Sequence, residues 1–336
     1  MKNIEIKIEE LKKIAIIRTD RLGDMVLTLP MFKAIKYEYP NIETTIIANT
    51  YTKPLLQNCK YINSIFYVDE FENGINEIFK KNHFDIVFFP RPRFDESLAA
   101  YRYKIPIRVG TGYRLYSFLF NHKVYDHRKI SEYHEAEYNV RQVESVFQKK
   151  LNTELIKPYV NFKDLFKVDK LLKESGFDEN QKSIILHPGS RASAKDWDSE
   201  NFGKVGQKLV DTYGFNIIIT GTESEKSFCQ KAGSQCLNAI NLCGKLNLYE
   251  TIALISRSDL LISNSTGVLH IAAALGINVI GLYPNTLHIS AKRWGPYTKK
   301  AIVLSPPINE SNVNIDDMSL IKIDDVFNSV IRLLSI

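Results

Sequence analysis

No apolar stretch in the sequence approaches the roughly 20 residues that cross a bilayer as a helix, so a helical membrane span is excluded. Residues 1–13 are charged and lack the apolar centre of a secretory signal. Cysteine is scarce. Cys59, Cys229, Cys236 and Cys243 form neither a C-x-x-C pair nor a zinc-like spacing. Reduced thiols in a cytoplasmic protein are therefore expected. The dinucleotide fingerprint G-x-G-x-x-G is missing from the first strand-to-helix turn, where Thr19-Asp20-Arg21-Leu22-Gly23-Asp24 holds one glycine. A nicotinamide-dependent reading is disfavoured accordingly. There is no low-complexity tract and no evident cluster of cation ligands, and neither a metal nor a cofactor is expected.

What is present is ordinary for a globular chain: 336 residues, 44% hydrophobic and 24% charged, enough for two domains and ample core. The net charge of +6 favours an acidic partner. It is concentrated. Between Arg91 and Lys129 nine basic residues face three acidic ones, and nine minus three equals the excess of the whole chain. A solvated basic face is the plain alternative to a binding surface.

Short apolar runs alternate with helical periodicity twice over, which predicts α/β architecture with parallel sheets and crossover helices. The first set of strands is 14–18, 44–48, 64–68, 86–89 and 107–110. The second is 183–186, 216–220, 239–242, 260–262, 279–282 and 301–304. Residues 25–39 read as a helix interrupted by Pro30, and 113–128 as an aromatic, basic loop. The expected domains are 1–165 and 166–323. A last helix over 324–336 is free to pack back on the first domain.

In open α/β sheets ligands bind at the carboxyl ends of the strands, so the polar turns there carry the chemistry. In the first turn Asp24 follows Gly23 at a helix start, where the ionised form is favoured. Such a carboxylate can take a proton from a hydroxyl; a simple helix cap is the alternative. His187-Pro188-Gly189-Ser190-Arg191, with Lys195 and Trp197 behind it, offers groups that hold phosphate. The turn at 220–226 adds carboxylates suited to ribose hydroxyls, and the turn at 244–248 a backbone suited to a base edge. Residues 260–276 read as strand, small polar turn and helix, stopped by Gly276. Backbone N–H groups at such a helix start, with Ser265, Thr266 and Gly267, make a diphosphate cradle.

Arg18, Arg21 to Asp24, Leu27 and Pro30, then His187 to Ser190 with Lys195 and Trp197, then Ser265-Thr266-Gly267-x-x-His270 with Ala272 to Ala274, together resemble the ADP-heptose–lipopolysaccharide heptosyltransferases, glycosyltransferase family nine. The likeness runs over nearly the whole chain. It implies the GT-B fold, two Rossmann-like domains facing a cleft, and inverting, metal-independent transfer of a sugar from a nucleotide sugar to a lipopolysaccharide core acceptor. Carried over by motif, Asp24 resembles the catalytic base. Ser190 and Lys195 resemble the donor-phosphate and sugar contacts, with Lys195 also stabilising the leaving group. Glu225, with Glu223 as a rival, resembles the ribose contact, and Leu246 the contact to the base. Thr266, Gly267 and His270 resemble the cradle. Ser265, preceded by Asn264, stands where many of the family have Asp, so the donor sugar is left open between heptose and others. A nucleotide-sugar epimerase and a non-catalytic nucleotide-sugar binder are the competing functions.

The first domain is then the acceptor side. Arg21, Arg91, Arg93 and Arg114 are the expected contacts to an anionic, lipid-linked saccharide, because arginine grips phosphate with two donors; no nucleic acid partner is expected. The run Leu115-Tyr116-Ser117-Phe118-Leu119-Phe120, between Arg114 and Lys123, reads either as a buried element or as a surface resting on the inner face of the cytoplasmic membrane.

Overall fold

The computed structural model describes residues 6–190, 195–308 and 314–336. The chain divides into two units, Met1–Tyr159 and Val160–Ile336. In the first, six parallel strands form one sheet: β1 (Lys13–Ile17), β2 (Glu43–Ala48), β3 (Ser64–Tyr67), β4 (Ile86–Phe88), β5 (Ile107–Thr111) and β6 (His122–Val124), in the order β3-β2-β1-β4-β5-β6. The inner strands are apolar runs because helices cover both faces of such a sheet. Ala15, Ile17, Ile47 and Val87 pack there with Ile78, Phe79, Phe89 and Phe120.

The second unit repeats the plan with β7 (Ser183–His187), β8 (Asn216–Ile219), β9 (Ile240–Asn241), β10 (Leu260–Asn264), β11 (Asn278–Leu282) and β12 (Ala301–Leu304), in the order β12-β11-β10-β7-β8-β9. Its core joins Ile184, Leu186, Ile217 and Ile262 to Trp197, Phe202 and Val205. The direction of winding reverses between β1 and β4 in one sheet and between β7 and β10 in the other. Ligand crevices in open α/β sheets lie at such switch points.

Several expectations are altered. The expected boundary at residue 165 falls inside the Phe162–Glu174 helix, which belongs to the second unit. The last helix, Ile323–Leu334, belongs to the second unit. Its apolar stripe puts Val326 and Val330 into the core of the second, where burial of each contributes about 2 kcal/mol. The helix expected over 25–39 is two, Leu22–Val26 and Pro30–Glu38, with Pro30 opening the second, where its missing N–H costs nothing. The loop read over 113–128 contains β6, a three-residue edge strand too short and polar to signal itself. The apolar run beside it is split. Leu119 and Phe120 are buried, whereas Leu115 is fully exposed and Phe118 is 68% exposed.

Candidate functional site

In the first unit the switch point is closed by a chain of charges. Arg18 follows β1, and its side chain is only 1% exposed. Its Nε lies 2.6 Å from Asp20 Oδ1, and its Nη2 pairs with Asp24 Oδ1. The second oxygen of Asp20 accepts from Arg91 Nη1, in the loop after β4, at 2.7 Å. The Thr19 hydroxyl donates a hydrogen bond to Glu96, in the first turn of the Phe94–Arg102 helix. Glu135, buried at the start of the Glu135–Phe147 helix, is ion-paired to Arg128. Asp24 itself keeps 14% of its side chain exposed.

Burial raises the pKa of Asp24. Arg18 opposes that shift, and the charges of Asp20 and Glu135 add to it. The result is a carboxyl that lies against a buried guanidinium yet holds a proton more readily than one in water. Glu96 is pushed up to about 7, chiefly by burial, with the Thr19 hydrogen bond pulling the other way. Tyr51, after β2, is raised by burial and then by the nearby charges of Asp20 and Asp24. Of the expected acceptor contacts, Arg21 and Arg114 are exposed, Arg93 is exposed beside Asp95, and Arg91 is tied to Asp20. The basic segment is not one uniform patch. Arg108 donates to the carbonyls of Leu119 and Ile105, and Arg128 is held by Glu135.

In the second unit the turns after β7 and β10 meet. Asn264, fully buried at the end of β10, donates to the Pro188 carbonyl at 2.8 Å and accepts from the Trp197 backbone N–H at 3.0 Å. Trp197 is buried in the core and donates through Nε1 to the Ile321 carbonyl at 2.9 Å. That anchor holds the segment bearing Lys195, whose Nζ lies 3.1 Å from Asp316 Oδ2. Asp316 accepts from the Thr286 backbone at 2.8 Å and from its hydroxyl. Burial raises the Asp316 pKa, but these bonds and Lys195 together outweigh it, and the net shift is downward. Ser190 is buried beside Asp196; Arg191 lies outside the described residues.

Thr266 is the N-cap of the Gly267–Leu275 helix, yet its hydroxyl does not cap it. That hydroxyl pairs with Ser263 at 2.9 Å. The first turn of the helix therefore faces the switch-point turn without its own side-chain cap. His270 is buried one turn in. Gly276 ends the helix with φ of +82°, a left-handed conformation that glycine adopts without strain. The Ser265 hydroxyl bonds that of Tyr283, which donates to the Trp294 carbonyl at 2.7 Å. The amide of Asn264, beside Ser265, is spent on backbone groups inside the core. Glu225 is buried, with one oxygen in a capping box with Thr222; a Cβ on Gly189 would lie 2.8 Å from the other. Glu223 is the more exposed of the two and pairs with Lys226. Leu246 lies half-buried in the turn before the Leu248–Arg257 helix. The one Asp-x-Asp triplet, Asp196-Trp197-Asp198, has its Trp in the core, and its Asp198 caps the Ser199–Tyr213 helix.

Sequence reasoning placed the turns but missed Tyr51, Glu96, Asn264 and Asp316 as their partners. It also missed Arg18 as a hub, although a charged residue closing an apolar strand is a signal that could have found it.

A family model, Glycosyltransferase family 9 (heptosyltransferase), matches residues 75–319. The chain is 26% identical to lipopolysaccharide core heptosyltransferase OpsX of Haemophilus influenzae, over 88% of this chain and 84% of that protein. Its fold matches a glycosyl transferase family 9 structure from Veillonella parvula, with a TM-score of 0.84 at 21% identity over 96% of this chain and 97% of that one. It also matches E. coli ADP-heptose lps heptosyltransferase II, with a TM-score of 0.78 at 19% identity, over 96% and 98%. The two six-stranded parallel sheets with their helices thus match GT-B heptosyltransferase structures. Among the described residues, no helix is long and apolar enough to cross a membrane.

Proposed function

The chain belongs to glycosyltransferase family 9, and from that premise we propose that it is an inverting, metal-independent transferase moving heptose from ADP-heptose to a lipopolysaccharide core acceptor. The observation that carries the reading is Asp24: a carboxylate at the switch point of the first sheet, ion-paired, mostly buried and raised in pKa. In this reading the acceptor hydroxyl attacks the anomeric carbon from the side opposite the diphosphate. Its oxygen bonds that carbon, its proton passes to Asp24, and the bond from that carbon to the phosphate oxygen breaks. ADP leaves with the electron pair, and the configuration inverts.

The charge appearing on the diphosphate would meet Lys195, Ser190 and the backbone N–H groups at Thr266 and Gly267, where an anion is favoured. His270 and Ser265 would complete that side, with Tyr283 fixing the Ser265 hydroxyl. Glu225 or Glu223 would take the ribose, and the Leu246 backbone the adenine. Arg21, Arg91, Arg93 and Arg114 would hold anionic groups of the acceptor. Leu115 and Phe118, exposed beside Arg114, would rest on the anionic inner leaflet that carries a lipid-linked acceptor.

The test is incubation with ADP-heptose and a truncated, phosphorylated core, read by mass spectrometry. The expected result is acceptor heavier by one heptose and stoichiometric ADP. Turnover of the donor to an epimer, or binding without turnover, would overturn the reading in favour of an epimerase or a binder.

A further inference from the structure

A buried arginine costs several kcal/mol unless its charge is met, and Arg18 has its charge met twice. Its Nε pairs with Asp20 and its Nη2 with Asp24. Its backbone N–H donates to the Ile47 carbonyl at 2.9 Å, which pins it to β2. Asp20 in turn is bound by Arg91. The result is an alternating row, Arg91, Asp20, Arg18, Asp24, joining the loops after the two strands that flank the switch point. The four charges sum to zero, and Arg18, inside the row, is the most buried of them.

We propose, on the reading that Asp24 is the base, that Arg18 is the positioning residue of the transfer reaction. Its guanidinium orients the Asp24 carboxylate and keeps it charged, while Asp20, tied to Arg91, sets how much of that positive charge Asp24 feels. Arg18 touches neither substrate in this proposal; it acts through Asp24.

The groups facing Asp24 are few. Arg18 and Asp20 come from its own turn, Glu135 with its partner Arg128 from the Glu135–Phe147 helix, Arg91 from the loop after β4, and Tyr51 from the segment after β2 with Arg21 beside it. Removing a positive neighbour must make Asp24 harder to ionise, and removing a negative one easier. Arg18→Met and Asp20→Asn therefore have opposite signs. The acid limb of the kcat profile should rise in Arg18→Met and fall in Asp20→Asn, each by about one pH unit, the scale of one charge at ~4–6 Å. Arg18→Lys keeps the charge but cannot fork onto two carboxylates; it should restore the limb while leaving kcat below wild type.

The measurement is the pH–rate profile of the four proteins, with 13C NMR titration of the Asp24 carboxyl in the ligand-free protein. A merely structural Arg18 would lower the rate at every pH and leave the limb and the NMR titration in place, and that outcome overturns the proposal. If Arg18→Met does not fold, Asp20→Asn and Arg91→Gln decide by the same opposed signs: down for the first, up for the second. Failure of the underlying reading looks different, because Asp24→Asn would then retain turnover.

Discussion

Asn264 and Trp197 are joined by a single hydrogen bond, from the Trp197 backbone N–H to the Asn264 side-chain oxygen at 3.0 Å. Through it the end of β10 holds the segment that presents Lys195, while the other half of the same amide holds Pro188. Asn264→Ala strands a buried N–H and a buried carbonyl, each worth about 1–3 kcal/mol when left unsatisfied. The variant should lose about 2–4 kcal/mol in urea unfolding, and its affinity for ADP should drop. Unchanged affinity in a folded Asn264→Ala protein would mean that the two turns do not need this tie.

Lys195 is held by Asp316 at 3.1 Å, on a carboxylate already engaged by Thr286. Lys195→Ala should weaken ADP-heptose binding and lower kcat by about 10²–10³, the usual loss when one donor to developing charge is removed. Magnesium should not restore it. Asp316→Asn should show a smaller loss, since the ammonium remains but is no longer tethered. Activity abolished by a chelator and recovered with a divalent cation would contradict the metal-independent mechanism.

Glu96 gives a pH dependence of stability. Its folded pKa, about 7, lies above the ordinary 4.5, so between those values the folded state binds more protons than the unfolded one. Its contribution is complete below about pH 4.5 and is lost as pH rises through about 7. Glu96→Gln keeps an acceptor for Thr19 and removes the titration. Wild type should lose on the order of 2 kcal/mol relative to Glu96→Gln between pH 5 and pH 8, read from urea midpoints at the two pH values. Parallel stability curves for the two proteins would show that Glu96 ionises freely.

The fold was readable because parallel strands buried on both faces leave continuous apolar runs, and eleven of these stood out between polar turns. β6 did not, because an edge strand of three residues carries no such run. The candidate turns were readable for the same reason: a polar cluster after an apolar run marks a strand's carboxyl end. Their partners were not. Tyr51 nears Asp24 from the segment after β2, and Asp316 reaches Lys195 across more than a hundred residues of chain, so neither has a local signature. Asn264 gave no sign of its structural role because burial is invisible in a polar residue name.

The run at 115–120 shows the same limit and yields a prediction. Phe120 is 2% exposed, and its ring lies where a Cβ on Gly110 would be only 2.7 Å away. Phe120→Ser should therefore destabilise the first unit by about 3–5 kcal/mol, as large-to-small core changes do. Leu115→Ser with Phe118→Ser removes only exposed surface. That pair should preserve folding and activity on a lipid-free acceptor while reducing salt-sensitive binding to vesicles containing phosphatidylglycerol. Equal vesicle binding by wild type and the pair would remove the membrane role.

The anionic acceptor contacts separate by their surroundings. Arg93→Ala with Arg114→Ala should raise the acceptor KM several-fold and steepen no pH limb, because neither is part of the row at Arg18. Arg91→Ala should raise the KM and also alter the pH profile, since it releases Asp20. Identical effects from Arg91 and Arg114 variants would show that the Asp20 pair is incidental.

The central claim is that Asp24 takes the proton of the acceptor hydroxyl, and single-turnover transfer by Asp24→Asn measures it most directly. With ADP-heptose and a truncated core at saturating concentrations, the account predicts a rate lower by about 10²–10⁴, the range for loss of a general base, with ADP affinity and the urea midpoint close to wild type. Transfer by folded Asp24→Asn at the wild-type rate would contradict it.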